Sequence, residues 1–271
     1  MDLFIALAAW SELAFGLVLF ASLTVANEVG CLLGRRHAAQ GSVPLEGVGV
    51  VVGGVLGLLA FVLALTLSFS SARFNDRRDG ALAEANAIGT AWLRAESIGD
   101  PRGTEIARLL EHYTRLRIAF ATAPEDRAMI DDLNRQTNAL QTKIWRQVSA
   151  IARERQDPIV AALMAAVSDT FDMTMAQRLA FEFRLPPQVF WLLVGMAVLG
   201  MAALGYQLGL RNNPLRGLVV LLTLVWAVLI VDILDMGAAR VGVVHPGTDV
   251  YEWTLLGFQS GVPMPQRPGA N

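Results

Sequence analysis

The sequence predicts an all-α, polytopic membrane protein: four transmembrane helices, with a helical-bundle domain inserted between the second and the third. Three observations carry that prediction. Of 271 residues 54% are hydrophobic and only 17% charged, which is too much apolar side chain for an ordinary water-soluble domain. Four apolar stretches are each long enough to cross a hydrocarbon core of ~30 Å. Between the second and third lies a block from Ala72 to Leu185 with 16 basic and 16 acidic residues, too polar to sit in lipid and neutral overall.

The first span runs from about Leu3 to Ala26, roughly 36 Å of helix at 1.5 Å per residue. Only Met1 and Asp2 precede it, so the basic leader of a secretory signal is lacking and the span is expected to be retained. The second, Val48 to Ser70, holds no charged residue. Pro186 and Pro187 punctuate entry into the third, Val189 to Leu210, where Trp191 stands at the position of an interfacial aromatic. Leu215 to Leu234 forms the fourth. The expected organisation is spans one and two in residues 1–71, the extramembrane helical domain in 72–185, spans three and four in 186–236, and a flexible tail in 237–271. That tail is rich in glycine and proline, with one interfacial patch at Tyr251 to Phe258.

The middle block reads as helix throughout. Leu82, Ala85, Ile88 and Trp92, then Ile106, Leu109, Leu110, Tyr113, Leu116 and Phe120, recur at the spacing that places one apolar stripe on a helix. Ile130, Leu133, Thr137, Leu140, Ile144 and Ile151 approximate a heptad, which suggests an antiparallel bundle or short coiled coil. Asp100-Pro101 and Asp157-Pro158 have the form of helix starts, an aspartate cap followed by proline in the first turn.

Several functions are disfavoured by composition. A net charge of -2 without a basic patch speaks against a nucleic-acid partner. The single cysteine, Cys31, excludes an internal disulfide, and His37, His112 and His245 are too scattered for a ligand cluster. No nucleophile elbow, phosphate-binding loop, HExxH or haem-attachment motif is present. The expectation is therefore no enzyme, no catalytic residue, no metal site and no cofactor.

Ionisable groups within or beside spans are the sharper candidates. Glu12 lies about 13 Å along the first span, where a carboxylate must be paired, protonated or in contact with a passing ion. It is the candidate ion-path residue. Gly49, Gly53, Gly57, Ala60, Ala64 and Ser71 form a small-residue stripe on the second span, read first as a close-packing face and second as a pore lining. Asp232 and Asp235 are three apart near the end of span four and oppose the helix dipole there. Counting crossings puts them on the side where Arg73, Arg77 and Arg78 leave span two, so an arginine latch is expected, with a cation site as the rival.

Arg73-Phe74-Asn75-Asp76-Arg77-Arg78, followed by EANAIGTAWLR from Glu84 to Arg94, resembles the signature of a bestrophin-like family of bacterial membrane proteins. Glu84, Asn86 and Arg94 are the signature residues on the helix leading away from span two. By pattern alone Glu84 would pair one turn away or stay solvated. The resemblance covers residues 45 to 245 or so. It departs at Asp235-Met236-Gly237-Ala238, where the family commonly places a proline. It implies two spans, a helical block, two more spans and an acidic element, and a kinship with all-helical pentameric anion channels whose pore is built from the second span. Function does not follow from fold alone.

Two functional expectations result: an ion channel or channel-like homo-oligomer whose helical block forms a vestibule, or a non-conducting scaffold or sensor whose block binds a protein partner. The lipid bilayer of a bacterial cell membrane is the expected surroundings, and an ion the expected ligand. Charges near span ends nearly balance. Asp2 before the first span and Arg35-Arg36 after it tip the helical block toward the non-cytoplasmic side.

Overall fold

The computed structural model describes residues 12–41, 45–183, 186–212, 215–240 and 247–260. Among these every regular element is a helix: α1 (Glu12–Gln40), α2 (Leu45–Glu96), α3 (Pro101–Thr122), α4 (Arg127–Glu154), α5 (Pro158–Glu182), α6 (Pro187–Leu210), α7 (Arg216–Gly237) and α8 (Asp249–Ser260). They divide into two compact units. One comprises residues 1–73 and 184–244, the other 74–183 and 245–271. The 52-residue α2 contributes to both, its apolar first part to one and its polar remainder to the other.

Five helices are long and apolar enough to cross a membrane: α1, α2, α6, α7 and also α5. The last was not expected from the sequence pattern. Its Ala- and Val-rich first half raises its hydropathy, yet Asp169, Asp172, Arg178 and Glu182 fall along it.

The span unit is built on α1 and α6. Its apolar core joins Phe15, Leu19 and Leu23 of α1, Leu59 and Leu63 of α2, Leu193, Ala197 and Met201 of α6, and Trp226, Ile230 and Ile233 of α7. The α1–α6 crossing is close because glycines remove the side chains that would hold the backbones apart. A Cβ on Gly205 would collide with the carbonyl of Asn27, one on Gly209 with that of Cys31, and one on Gly30 with that of Ala202. Asn27, 6% exposed, donates its side-chain amide to the Met201 carbonyl at 3.1 Å. Residue numbers rise together along this contact, from Phe15 beside Phe190 to Gly34 beside Gly209, so α1 and α6 are parallel. They fall along the others. Gly49 faces Gln207 whereas Leu56 and Leu59 face Gly200, and Gly16 faces Val231, making α2 antiparallel to α6 and α7 antiparallel to α1 at these contacts.

In the second unit α4 packs against α3 and α5, and α8 packs against α3. The predicted caps are in place: Asp100 accepts from Arg102 N at 2.8 Å and Asp157 from Val160 N at 2.9 Å, each ahead of a proline. Asp126 caps α4 in the same way. Ile106, Leu110, Tyr113 and Phe120 of α3 and Leu133, Thr137, Leu140, Ile144 and Ile151 of α4 are buried as their periodicity requires, while Leu82 on the α2 stripe is exposed. The stretch from Tyr251 to Phe258 differs from expectation. It belongs to α8, with Tyr251 1% and Phe258 6% exposed, and Phe258 stacks on Trp92 at 4.9 Å between centroids. An amphipathic turn pattern reads alike for a bilayer surface and for a protein face, and here a protein face takes it.

Candidate functional site: a buried ion pair and the span crossing

The most concentrated chemistry among the described residues is a polar cluster inside the second unit. Glu84 from α2 and Arg117 from α3 are 0% and 1% exposed at the side chain and meet at 2.7 Å. A buried pair is stable only if its remaining donors and acceptors are satisfied. Here Thr174 of α5 donates to Glu84 Oε1 at 2.6 Å and Tyr251 of α8 donates to Glu84 Oε2 at 2.5 Å. Arg117 Nη2 adds a longer bond to Oε2 at 3.3 Å, and its guanidinium lies 4.4 Å over the Phe120 ring. Outward from this centre Tyr113 Oη pairs with Thr174 Oγ1 at 2.6 Å and accepts from Gln141 of α4 at 2.9 Å. Four helices thus meet at one carboxylate, and α4 joins the network through Tyr113.

The electrostatics follow from burial. Burial, reinforced by the Glu84 charge, pushes the Tyr113 phenol up to about 12. The same two causes, in that order, hold Tyr251 well above its ordinary value. Burial opposes the Arg117 charge, but Glu84 and the two tyrosines together raise the guanidinium above its ordinary range. Both phenols are therefore held as donors and Arg117 as a cation. This arrangement holds helices together.

Glu84 is thus neither solvated nor paired one turn away. Its partner is 33 residues distant, and an i, i+4 search does not reach that far. Arg94 is half-buried and donates to the Ala162 carbonyl at 2.6 Å, tying α2 to α5. Asn86 is exposed and lines, with Thr90, Trp253 and Thr254, a half-open cavity of about 290 Å³ between α2 and α8. The signature residues share one helix but not one environment. Gln177, 2% exposed, donates to the Arg77 carbonyl at 2.9 Å and stands against Gly80, where a Cβ would collide with its amide oxygen. No sequence pattern singled out Arg117, Thr174, Gln177 or Tyr251; the one available signal was that four polar residues interrupt otherwise apolar stripes.

In the span unit Asp235 is 8% exposed, whereas Asp232, one turn earlier, is exposed, so the two carboxylates do not share surroundings. Arg73 lies 4.9 Å over the Phe69 ring. Arg77, 0% exposed, and Arg78, exposed, fall in the second unit. Glu12 opens α1, and its side chain lies outside the described residues. On the α2 stripe Gly49 stands against Gln207, while a Cβ at Gly53, Gly54 or Gly57 would meet none of the described residues within 4 Å. The expected close packing is therefore absent at those positions within one chain. Among the described residues no group of three or more His, Cys, Asp or Glu could hold a metal ion.

Comparison with curated proteins and with solved structures finds no match. Comparison with family models matches the bestrophin-like domain over residues 18–239. That span takes in the signature on α2, the whole buried ion-pair partnership of Glu84 and Arg117, and the α1–α6 crossing. This membrane protein belongs to the bestrophin-like family.

Proposed function

We propose that the protein is a channel-like homo-oligomer of the cell membrane in which α2 faces the ion path or the neighbouring copy. The observation that carries this reading is the uncovered face of α2: a Cβ at Gly53, Gly54 or Gly57 would meet none of the described residues within 4 Å, and Val50, Val51, Leu58, Phe61 and Leu65 beside them are exposed. Glycines at four-residue spacing permit a second helix to approach closely, and lipid alone gains nothing from them. The family membership supports the same reading by fold-level analogy.

Four crossings, with the helical block between the second and third, fit the packing better than five. Parallel α1 and α6 must enter the membrane from one side. After α1 and α2 the chain is back on that side, so a crossing by α5 would start α6 from the wrong one. The side is taken as cytoplasmic for the short loops, on the charges flanking the first span. Arg77 and Asp235 are each buried, and buried charges need compensation; the arginine latch at the end of span four is kept as part of this proposal.

Ion flux into proteoliposomes, measured with several anions and cations, tests the reading. Flux that falls when Gly57 is changed to Leu supports it, and no flux from a protein that elutes as a folded monomer refutes it. A scaffold or sensor role is favoured by one feature, the open groove on α4 and α5 where Trp145 is 39% exposed beside Arg146 and Arg153. A folded, non-conducting protein would move that reading ahead.

A further inference from the structure

The short-loop end of the span unit brings together four arginines. Gly34 of α1 stands against Leu210 and Gly209 of α6, so Arg35 and Arg36, in the last two turns of α1, lie near the level where Arg211 follows α6. Asn212 and Leu215, both with left-handed backbone (φ 51° and 36°), turn the chain toward α7, which places Arg216 at its first position. Arg216 lines, with Glu28, Cys31 and Leu208, a cavity of about 80 Å³ between α1, α6 and α7. The four arginines thus rim one end of one helix trio.

In the helical block Arg102, Arg108, Arg115, Arg117, Arg135, Arg155 and Arg178 each pair with a carboxylate, although, among the described residues, Arg78, Arg127, Arg146 and Arg153 there do not. At this end, among the described residues, none of the four forms an ion pair; Glu28 does not come within pairing distance of Arg216, and the other acid at this end is Glu46 in the first turn of α2. Arg35 adds a second and independent observation. Its Nε is buried and meets no acceptor, and a guanidinium donor withdrawn from water in that way needs one. His37 is engaged with the Tyr206 hydroxyl at 3.0 Å.

We propose that this rim binds the phosphate of an anionic phospholipid headgroup, with Arg35 Nε as the buried donor and Arg36, Arg211 and Arg216 completing the positive field. The guanidinium fork matches a phosphate oxygen pair, and the position at the ends of three spans is where headgroups lie. The site needs neither conduction nor oligomerisation, so it stands apart from the channel reading. A soluble phosphate offers the same oxygens, and the test separates the two sources.

The full-length chain, purified in neutral detergent, is titrated with phosphatidylglycerol, with phosphatidylcholine and with inorganic phosphate, and bound lipid is counted by native mass spectrometry. Phosphatidylglycerol is expected to be retained over phosphatidylcholine, each arginine changed to glutamine lowering its affinity roughly fivefold. Binding of inorganic phosphate at the same site, competing with the lipid, supports the site with a soluble ligand. Arg35→Lys keeps the charge but loses the Nε donor, and is expected to weaken retention nearly as much as Arg35→Gln. Arg211→Gln, on an exposed residue, is the variant that leaves the helix packing untouched. Equal retention of the two lipids, retention unaffected by Arg211→Gln, or Arg35→Lys behaving as the unaltered protein would each overturn the proposal.

Discussion

Tyr251 donates its phenol to Glu84 across 167 residues of chain, at 2.5 Å and with both side chains buried. One is on the helix that leaves span two, the other on the short helix after span four. The bond fills an acceptor that the Arg117 pair leaves only weakly met at 3.3 Å. It therefore makes α8 a structural part of the helical unit. A residue near the end of the chain completes a charge pair formed by residues much earlier in it.

Changing Glu84 alone to Gln is expected to destabilise the protein by about 3 to 5 kcal/mol, because Arg117 stays buried and uncompensated. Changing Glu84 and Arg117 together to Leu and Met is expected to cost clearly less than the sum of the single changes. Chemical denaturation of the four proteins in one double-mutant cycle checks this. Additive effects would show that the pair does not act as a unit.

Tyr251→Phe is expected to cost about 1.5 to 3 kcal/mol, the range for a hydrogen bond to a charged group. Alkaline pH tests the same bond with a definite sign. The folded-state pKa of Tyr113 is raised to about 12, and that of Tyr251 is raised well above its ordinary value. A group raised on folding contributes stability that is fully present below its unfolded pKa, about 10 for tyrosine, and is lost as pH rises through the folded value. Absorbance at about 295 nm should accordingly show Tyr113 and Tyr251 titrating late, and denaturation midpoints should fall above about pH 10. A single ordinary transition for all three tyrosines would contradict the buried cluster.

Gly205→Leu is expected to open the α1–α6 crossing, since even a Cβ there runs into the Asn27 carbonyl. Overpacking of this kind typically costs about 1 to 3 kcal/mol. Gly53→Ala, on the uncovered face of α2, should leave the stability of a detergent-solubilised monomer unchanged and affect only assembly. Thermal unfolding paired with size-exclusion chromatography reads both. Equal losses at the two positions would mean that the glycine faces are not distinct.

The latch proposed for span four is checked by Arg77→Ala, Asp235→Asn and the two combined. A coupling of about 1 kcal/mol or more, with the double change milder than the sum, is expected. Arg73→Ala and Arg78→Ala serve as comparisons. If all the changes are additive, the latch is absent, and stabilisation by calcium lost on Asp235→Asn would favour the cation site instead.

Acid adds one further sign. Arg102 holds the Asp100 carboxyl down to about 2, so the Asp100 contribution is present above the usual aspartate range and is lost as pH falls from about 4 through 2. Asp100→Ala should remove the N-cap of α3 and lower stability, as measured by denaturation near neutral pH. The same variant should also lose part of the dependence on pH below about 4. An unchanged acid profile would show that the cap does not couple to the titration.

Much of the architecture was legible because it is local. Apolar run length marks α1, α2, α6 and α7, aspartate-proline pairs mark the starts of α3 and α5, and heptad-like spacing marks the buried face of α4. Each of these depends on residues within a turn or two of one another, which is what a sequence presents directly. The sequence alone also determined membrane residence, an all-helical chain and the family signature on α2. Only the tertiary structure decided that Glu84 meets Arg117, Thr174 and Tyr251, that Tyr251 and Phe258 face protein, and that α5, long and apolar enough to cross a membrane, packs on α4. It also decided which glycines are covered, Gly30, Gly205 and Gly209, and which are not, Gly53 and Gly57. The physical reason is the same in each case: a polar or small residue has no preferred surroundings of its own, and its energy is set by whichever distant helix supplies, or fails to supply, a partner.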